Sequence, residues 1–254
     1  MNRLLYIILS SILFFSCASR KDIIYFQDAG NYTSVATNLK PVTIEPNDIL
    51  SIRIGALVPE TALAYNIQTP STVGVSSTLD ILKVQGYLVS PDKTIVLPIL
   101  GEINTAGLSV KDLETKLKSE LEKGAHLVNP SVAVRILNAK VTVLGEVKSP
   151  GTYSFLEQSI SIPQALGYAG DLTINGKRND ILLIRESEGK RTITHVDLTT
   201  AEWMNKDQYQ VHQNDILVVN PNDAKVKTAG YIGNASTILT IASLILSSII
   251  LITR

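Results

Sequence analysis

The last nineteen residues, Ser236 to Arg254, constrain this chain more than any other stretch. They read STILTIASLILSSIILITR, with no charge before the terminal Arg254. As a helix the segment would rise roughly 27 Å, close to the thickness of a bilayer hydrocarbon core. Its surface is not uniform. At about 100° per residue, Ser236, Thr240, Ser243 and Ser247 share one narrow stripe, while the rest is mostly Ile, Leu and Ala. A hydroxyl stripe on an apolar helix turns toward another helix or toward water. A plain C-terminal anchor whose small residues carry no message is the simpler alternative.

The other terminus is apolar too. Residues 1–16, MNRLLYIILSSILFFS, place one positive charge at Arg3 before an apolar core and a small residue, Ser16. That is the layout of a secretory signal peptide. Cys17 follows and is the only cysteine. It has no partner for an intramolecular disulfide and no neighbours for a metal site. The economical reading is a lipoprotein signal, with Cys17 as the lipidated first mature residue. Phe14 and Phe15 stand where a Leu and a small residue are commoner, with Leu13 one step upstream. No Asp follows Cys17 as an inner-membrane retention mark.

The 238 residues left after removal of 16 from 254 suffice for one large or two small cores. Lysine plus arginine and aspartate plus glutamate both total 23, so no basic field invites nucleic acid. The three histidines, His126, His195 and His212, are scattered. No zinc-protease helix motif, nucleophile elbow or Walker-type loop is present, and nothing points to catalysis, a cofactor or a metal.

The middle alternates between periodicities. Residues 18–40 are polar and aperiodic and read as a linker. In 41–54, Leu50, Ile52 and Ile54 alternate with Ile49, Ser51 and Arg53, which predicts a strand. Residues 56–80 read as a long loop, and 86–103 as short β runs turning at Pro91-Asp92-Lys93. Ser109 with Asp112 three residues on predicts a capped helix, with Leu113, Leu117 and Leu121 on one face and an end at Gly124. A strand at 131–137 completes a β-β-β-α-β unit. The second unit predicts a hairpin from 140 to 155 turning at Pro150-Gly151, and a short helix capped at Ser159 or Ser161. It then predicts strands at 180–185 and 191–197 and a closing strand ending near Val219. An internal echo links the units: Asn47-Asp48-Ile49-Leu50 and Asn214-Asp215-Ile216-Leu217 are identical. The expected role is structural, each Asp bonding back to backbone N–H groups where a strand begins.

An ordered series of segments now carries a resemblance. In the first unit these are Ile44-Glu-Pro-Asn-Asp-Ile-Leu-Ser-Ile52, Leu97-Pro-Ile-Leu-Gly-Glu-Ile103, Ala106-Gly107-Leu108 and Asn129-Pro-Ser-Val-Ala-Val134. In the second they are Val143-Leu-Gly-Glu-Val147, Pro150-Gly151-Thr-Tyr153 and Ala165-Leu-Gly-Tyr-Ala-Gly170. Together they resemble the outer-membrane polysaccharide export lipoproteins over about residues 41–221. The resemblance implies an α+β fold: a polysaccharide-export domain at 41–137 and a β-grasp (SLBB) domain at 138–221. The signal peptide at 1–16, a lipidated linker at 17–40, a linker at 222–235 and a C-terminal transmembrane, outer-membrane helix at 236–254 complete the chain. It also implies a ring-shaped homo-oligomer passing capsular or exopolysaccharide, with an inner-membrane polysaccharide copolymerase, often a tyrosine autokinase, docking from below. In that frame Ser236, Thr240, Ser243 and Ser247 line or border the pore, and Ile238, Leu239, Ile245 and Ile249 face lipid or neighbouring helices. The chain departs from the family pattern in having one β-grasp unit and Asn47 in place of the usual turn glycine. The other reading is a periplasmic glycan-binding structural or sensory lipoprotein. Tyr153, Trp203 and Tyr209 could stack on sugars, though aromatics in such a domain more often serve core or interface.

Overall fold

The computed structural model describes residues 20–32, 41–67, 83–187, 189–229 and 235–252. The expected signal peptide and Cys17 lie outside them.

Strand β1 (Ile49–Gly55) follows the predicted alternation, burying Leu50, Ile52 and Ile54 on one face. It lies between β2 (Tyr87–Leu88) and β5 (Ser131–Ile136), antiparallel to both. Helix α1 (Val110–Lys123) covers the inner face of this sheet through Leu113, Leu117 and Leu121, all fully buried. Each such leucine contributes roughly 1.5–3 kcal/mol by leaving water. The predicted capping box is present: Asp112 N donates to Ser109 Oγ at 3.2 Å, and Ser109 N donates to Asp112 Oδ2 at 3.0 Å. The helix ends at Gly124, but Ala125, at φ 52°, takes the left-handed position. The β runs before the helix divide further than expected. β3 (Thr94–Leu97) and β4 (Gly101–Asn104) form a separate hairpin, so four strands precede α1. Its turn holds the β-branched Ile99 at φ 67°, a conformation its sequence does not advertise.

The second unit runs β6 (Lys140–Gly145), β7 (Gly151–Ser154), β8 (Ile160–Ser161), α2 (Ile162–Tyr168) and β9 (Gly176–Ser187). It continues through β10 (Lys190–Val196), β11 (Gln210–Val211) and β12 (Ile216–Pro221). Five strands form one sheet in the order β10-β9-β12-β6-β7, with β12 parallel to β6 and antiparallel to β9. Inserting the last strand between the first and third unites the unit's two ends. Helix α2, capped by Ser161 with Gln164 three residues on, packs Ile162, Ala165 and Leu166 into the core with Val143, Ile181, Leu217 and Val219. Gly145 is required where β6 ends. At φ 89°, a Cβ there would lie 2.0 Å from the Val219 carbonyl oxygen and part β6 from β12.

Two segments differ from their reading. Within the stretch read as linker, Tyr25–Asp28 is docked on the second unit. Phe26 N and Gln27 N donate to the carbonyls of Leu198 and Thr199 at 3.1 and 2.7 Å, and Ala201 N donates to Asp28 Oδ1 at 2.7 Å. Phe26 stacks on Trp203, and Arg178 lies over the Tyr25 ring. At the other end, α3 (Asp223–Ala229) precedes α4 (Ala235–Ile252). The expected transmembrane helix is corrected here: among the described residues no helix is long and apolar enough to cross a membrane. The 18 residues of α4 rise about 26 Å, short of a core near 30 Å, and six of them carry hydroxyls.

Candidate functional site

Of the residues predicted to line a pore, Ser236 falls within α4, and Thr240, Ser243 and Ser247 lie exposed along it. Ser243 Oγ donates to the Thr240 carbonyl at 2.9 Å, and Ser248 Oγ to that of Leu244 at 2.8 Å. Such back-bonding lets hydroxyls sit on an apolar helix without an external donor or acceptor. Ile238, Leu239, Ile245 and Ile249 are at least half exposed. The helix therefore presents both its hydroxyl and its aliphatic sides outward.

A second functional region lies where the two units meet, and it is built from the echoed turns. Asn47 and Asn214 both adopt the left-handed conformation, at φ 70° and 64°, which Asn tolerates better than most residues. Asp48 Oδ2 accepts from Glu45 N at 2.9 Å, and Asp215 Oδ2 from His212 N at 2.8 Å. This is the structural role expected of both. Beyond that the turns part. Arg185 grips Asp215 through Nε and Nη2, the latter at 2.7 Å, and its Nη2 also donates to the Gln210 carbonyl. Among the described residues Asp48 receives no cation. Gln213, from the second unit, donates through Nε2 to Asp48 Oδ2 at 2.9 Å and to the Thr43 carbonyl at 3.0 Å. Ser187 Oγ donates across the same junction to Glu45 Oε1, and Lys93 stands 3.7 Å from Glu45 Oε2.

Burial pushes the Asp48 carboxyl up to about 6, the bonds from Glu45 N and Gln213 opposing and the Glu45 charge adding to the rise. Burial also lifts the Asp215 carboxyl, against the pull of Arg185. His212 moves the other way, down to about 4, because its burial and the nearby Arg185 both disfavour the imidazolium. Periodicity carried no signal for Arg185 or Gln213, although Gln213 directly precedes the echoed motif. A cleft of about 350 Å³ opens beside this junction, with Glu114, Arg135, Glu157, Gln158 and Gln213 on its walls.

The remaining candidates separate. Trp203 is core, its Nε1 donating to the Thr200 carbonyl at 2.8 Å, with Tyr209 tilted against it. Tyr153, packed against that core, stacks on Tyr168, and its hydroxyl donates to the Ser149 carbonyl. His126 meets the Tyr65 hydroxyl and His195 meets Asp180. Among the described residues no three His, Cys, Asp or Glu side chains are grouped to hold a metal.

Comparison with known proteins follows the division of the chain. The family model described as polysaccharide biosynthesis/export protein matches residues 36–137, and the SLBB domain model matches 140–197. A protein of Ralstonia nicotianae named EPS I polysaccharide export outer membrane protein EpsA is 31% identical over 225 residues, 84% of this chain and 55% of the relative. The protein of the same name from Ralstonia solanacearum is 28% identical over 209 residues, 78% of this chain and 53% of the relative. The chain thus spans about half the length of the curated relatives it matches.

Proposed function

Because the chain belongs to the outer-membrane polysaccharide export family, we propose that it passes an exopolysaccharide out of the periplasm through the outer membrane. The observation that carries this reading is the ordered pair of matches, export unit then SLBB unit, shared with relatives named for exopolysaccharide export. In this role the protein does no covalent chemistry and needs no cofactor. Several copies form a ring, and the bulk of each lies in the periplasm. Lipid on Cys17 anchors each copy, and two or more acyl chains hold firmly. The hydroxyls of Ser236, Thr240, Ser243 and Ser247 face the water of the passage, while Ile238, Leu239, Ile245 and Ile249 pack against neighbouring copies. An inner-membrane polysaccharide copolymerase, with or without tyrosine autokinase activity, delivers the polymer.

Deletion and complementation test the reading. Loss of the chain should abolish polymer at the cell surface while polymer accumulates inside, and unchanged surface polymer would refute it. Cys17→Ser should lower the share of protein that fractionates with the outer membrane. Single cysteines at positions 243 and 247 should react with a small water-soluble thiol reagent, and those at 245 and 249 much less. Equal protection at all four positions would remove the hydroxyl face from the passage.

A further inference from the structure

The outer face of the first unit's sheet, opposite α1, has an unusual chemistry. Arg53 and Arg135 both project from it, exposed. Arg53 pairs with Ala133 across the strands and Arg135 with Ser51, so the two arginines are diagonal neighbours on one face. Diagonal positions stand roughly 7–8 Å apart at Cβ, within joint reach of one ligand for side chains of this length. Neither guanidinium has a carboxylate partner among the described residues. They line a cleft of about 910 Å³ whose walls, among the described residues, include no Asp or Glu. Ala133, Arg135, Ile136 and Leu156 also line the junction cleft.

We propose that this cleft binds an extended segment of carboxylate-bearing glycan, with Arg53 and Arg135 on its acid groups. Guanidinium forks match carboxylates bidentately. The floor is a sheet face of side chains. Carboxylates spaced along a polyhydroxylated chain meet both guanidinium groups within one cleft. The proposal rests on the export reading and names the chemical class of the polymer that this chain contacts.

Calorimetry on the purified chain with hexagalacturonate, maltohexaose and hexaglutamate tests it at low and moderate salt. Hexagalacturonate should bind and maltohexaose should not. Arg53→Gln and Arg135→Gln should each weaken binding about tenfold, as expected for a lost charge-assisted bond. Lys148→Gln with Lys206→Gln, the same change in charge elsewhere, should leave binding unchanged. No binding of hexagalacturonate, equal binding by the arginine variants, or equal binding of maltohexaose would overturn the proposal. Preference for hexaglutamate would also overturn it, in favour of an acidic protein partner. The export reading fails separately: if the deleted strain still exports polymer, that reading falls. If deletion blocks export but the arginine variants bind hexagalacturonate as wild type does, only the cleft falls.

Discussion

The two Asn-Asp-Ile-Leu turns have one sequence and one backbone, yet their buried carboxylates are stabilised differently. In both, a left-handed Asn delivers an Asp whose Oδ2 accepts a backbone N–H three residues back. In both, the turn stitches to a neighbouring strand, through Val89 in the first and through Lys140 and Thr142 in the second. The difference is long-range. Asp215 is neutralised within its own unit by Arg185 of β9, whereas Asp48 depends on an amide lent by the other unit. A motif can therefore determine a turn without determining what its buried charge meets.

The largest effect should come from the paired turn. Arg185→Met leaves the 1%-exposed Asp215 carboxyl without its cation and should cost about 3–5 kcal/mol in urea denaturation. Adding Asp215→Asn should recover a substantial part; a single variant as stable as wild type would erase the distinction between the turns.

The unpaired turn should respond to pH instead. A carboxyl raised from 3.8 to about 6 stabilises the fold fully below 3.8, and that contribution is lost as pH rises through 6. His212, depressed to about 4, runs the other way, contributing above 6.5 and losing that contribution as pH falls through 4. The two partly cancel in the wild-type profile. Glu45 and Lys93, the charged groups facing Asp48, remain in place in a substituted chain. Asp48→Asn should thus gain on wild type by on the order of 2–3 kcal/mol between pH 3.5 and 7. A difference independent of pH would show that Asp48 is not the titrating group.

Gln213→Leu removes the amide that joins the units and should cost about 1–2 kcal/mol, leaving a buried acceptor less satisfied. By NMR titration the Asp48 carboxyl should move further up; no change would mean that the amide does little for it. The smallest effect tests the likeness of the turns. Asn47→Gly and Asn214→Gly should each stay within about 0.5 kcal/mol of wild type, since both retain the left-handed conformation. A larger or unequal response in thermal melts would break the equivalence of the two backbones.

Local physics made much of this chain legible in advance. The alternation of Leu50, Ile52 and Ile54 determined a half-buried strand, because side chains on a pleated strand point to opposite faces with period two. Ser109 with Asp112, and Ser161 ahead of Gln164, marked helix starts because the first backbone N–H groups of any helix need acceptors. The Asn-Asp pairs marked turns for the same kind of local reason. Other features depended on chain segments distant in sequence. Tyr25–Asp28 reads as polar linker because its strand-like bonds go to residues 198–201, with no repeat of its own to betray them. Ile99 takes a left-handed conformation because the β3–β4 pairing closes around it. The C-terminal segment announced a helix, while its length in the fold, 18 residues, left it short of a membrane crossing. Arg185, Gln213 and the Arg53–Arg135 pair acquired their roles only through tertiary structure, because an ionisable side chain's energetics depend on burial and neighbours rather than on spacing along the chain.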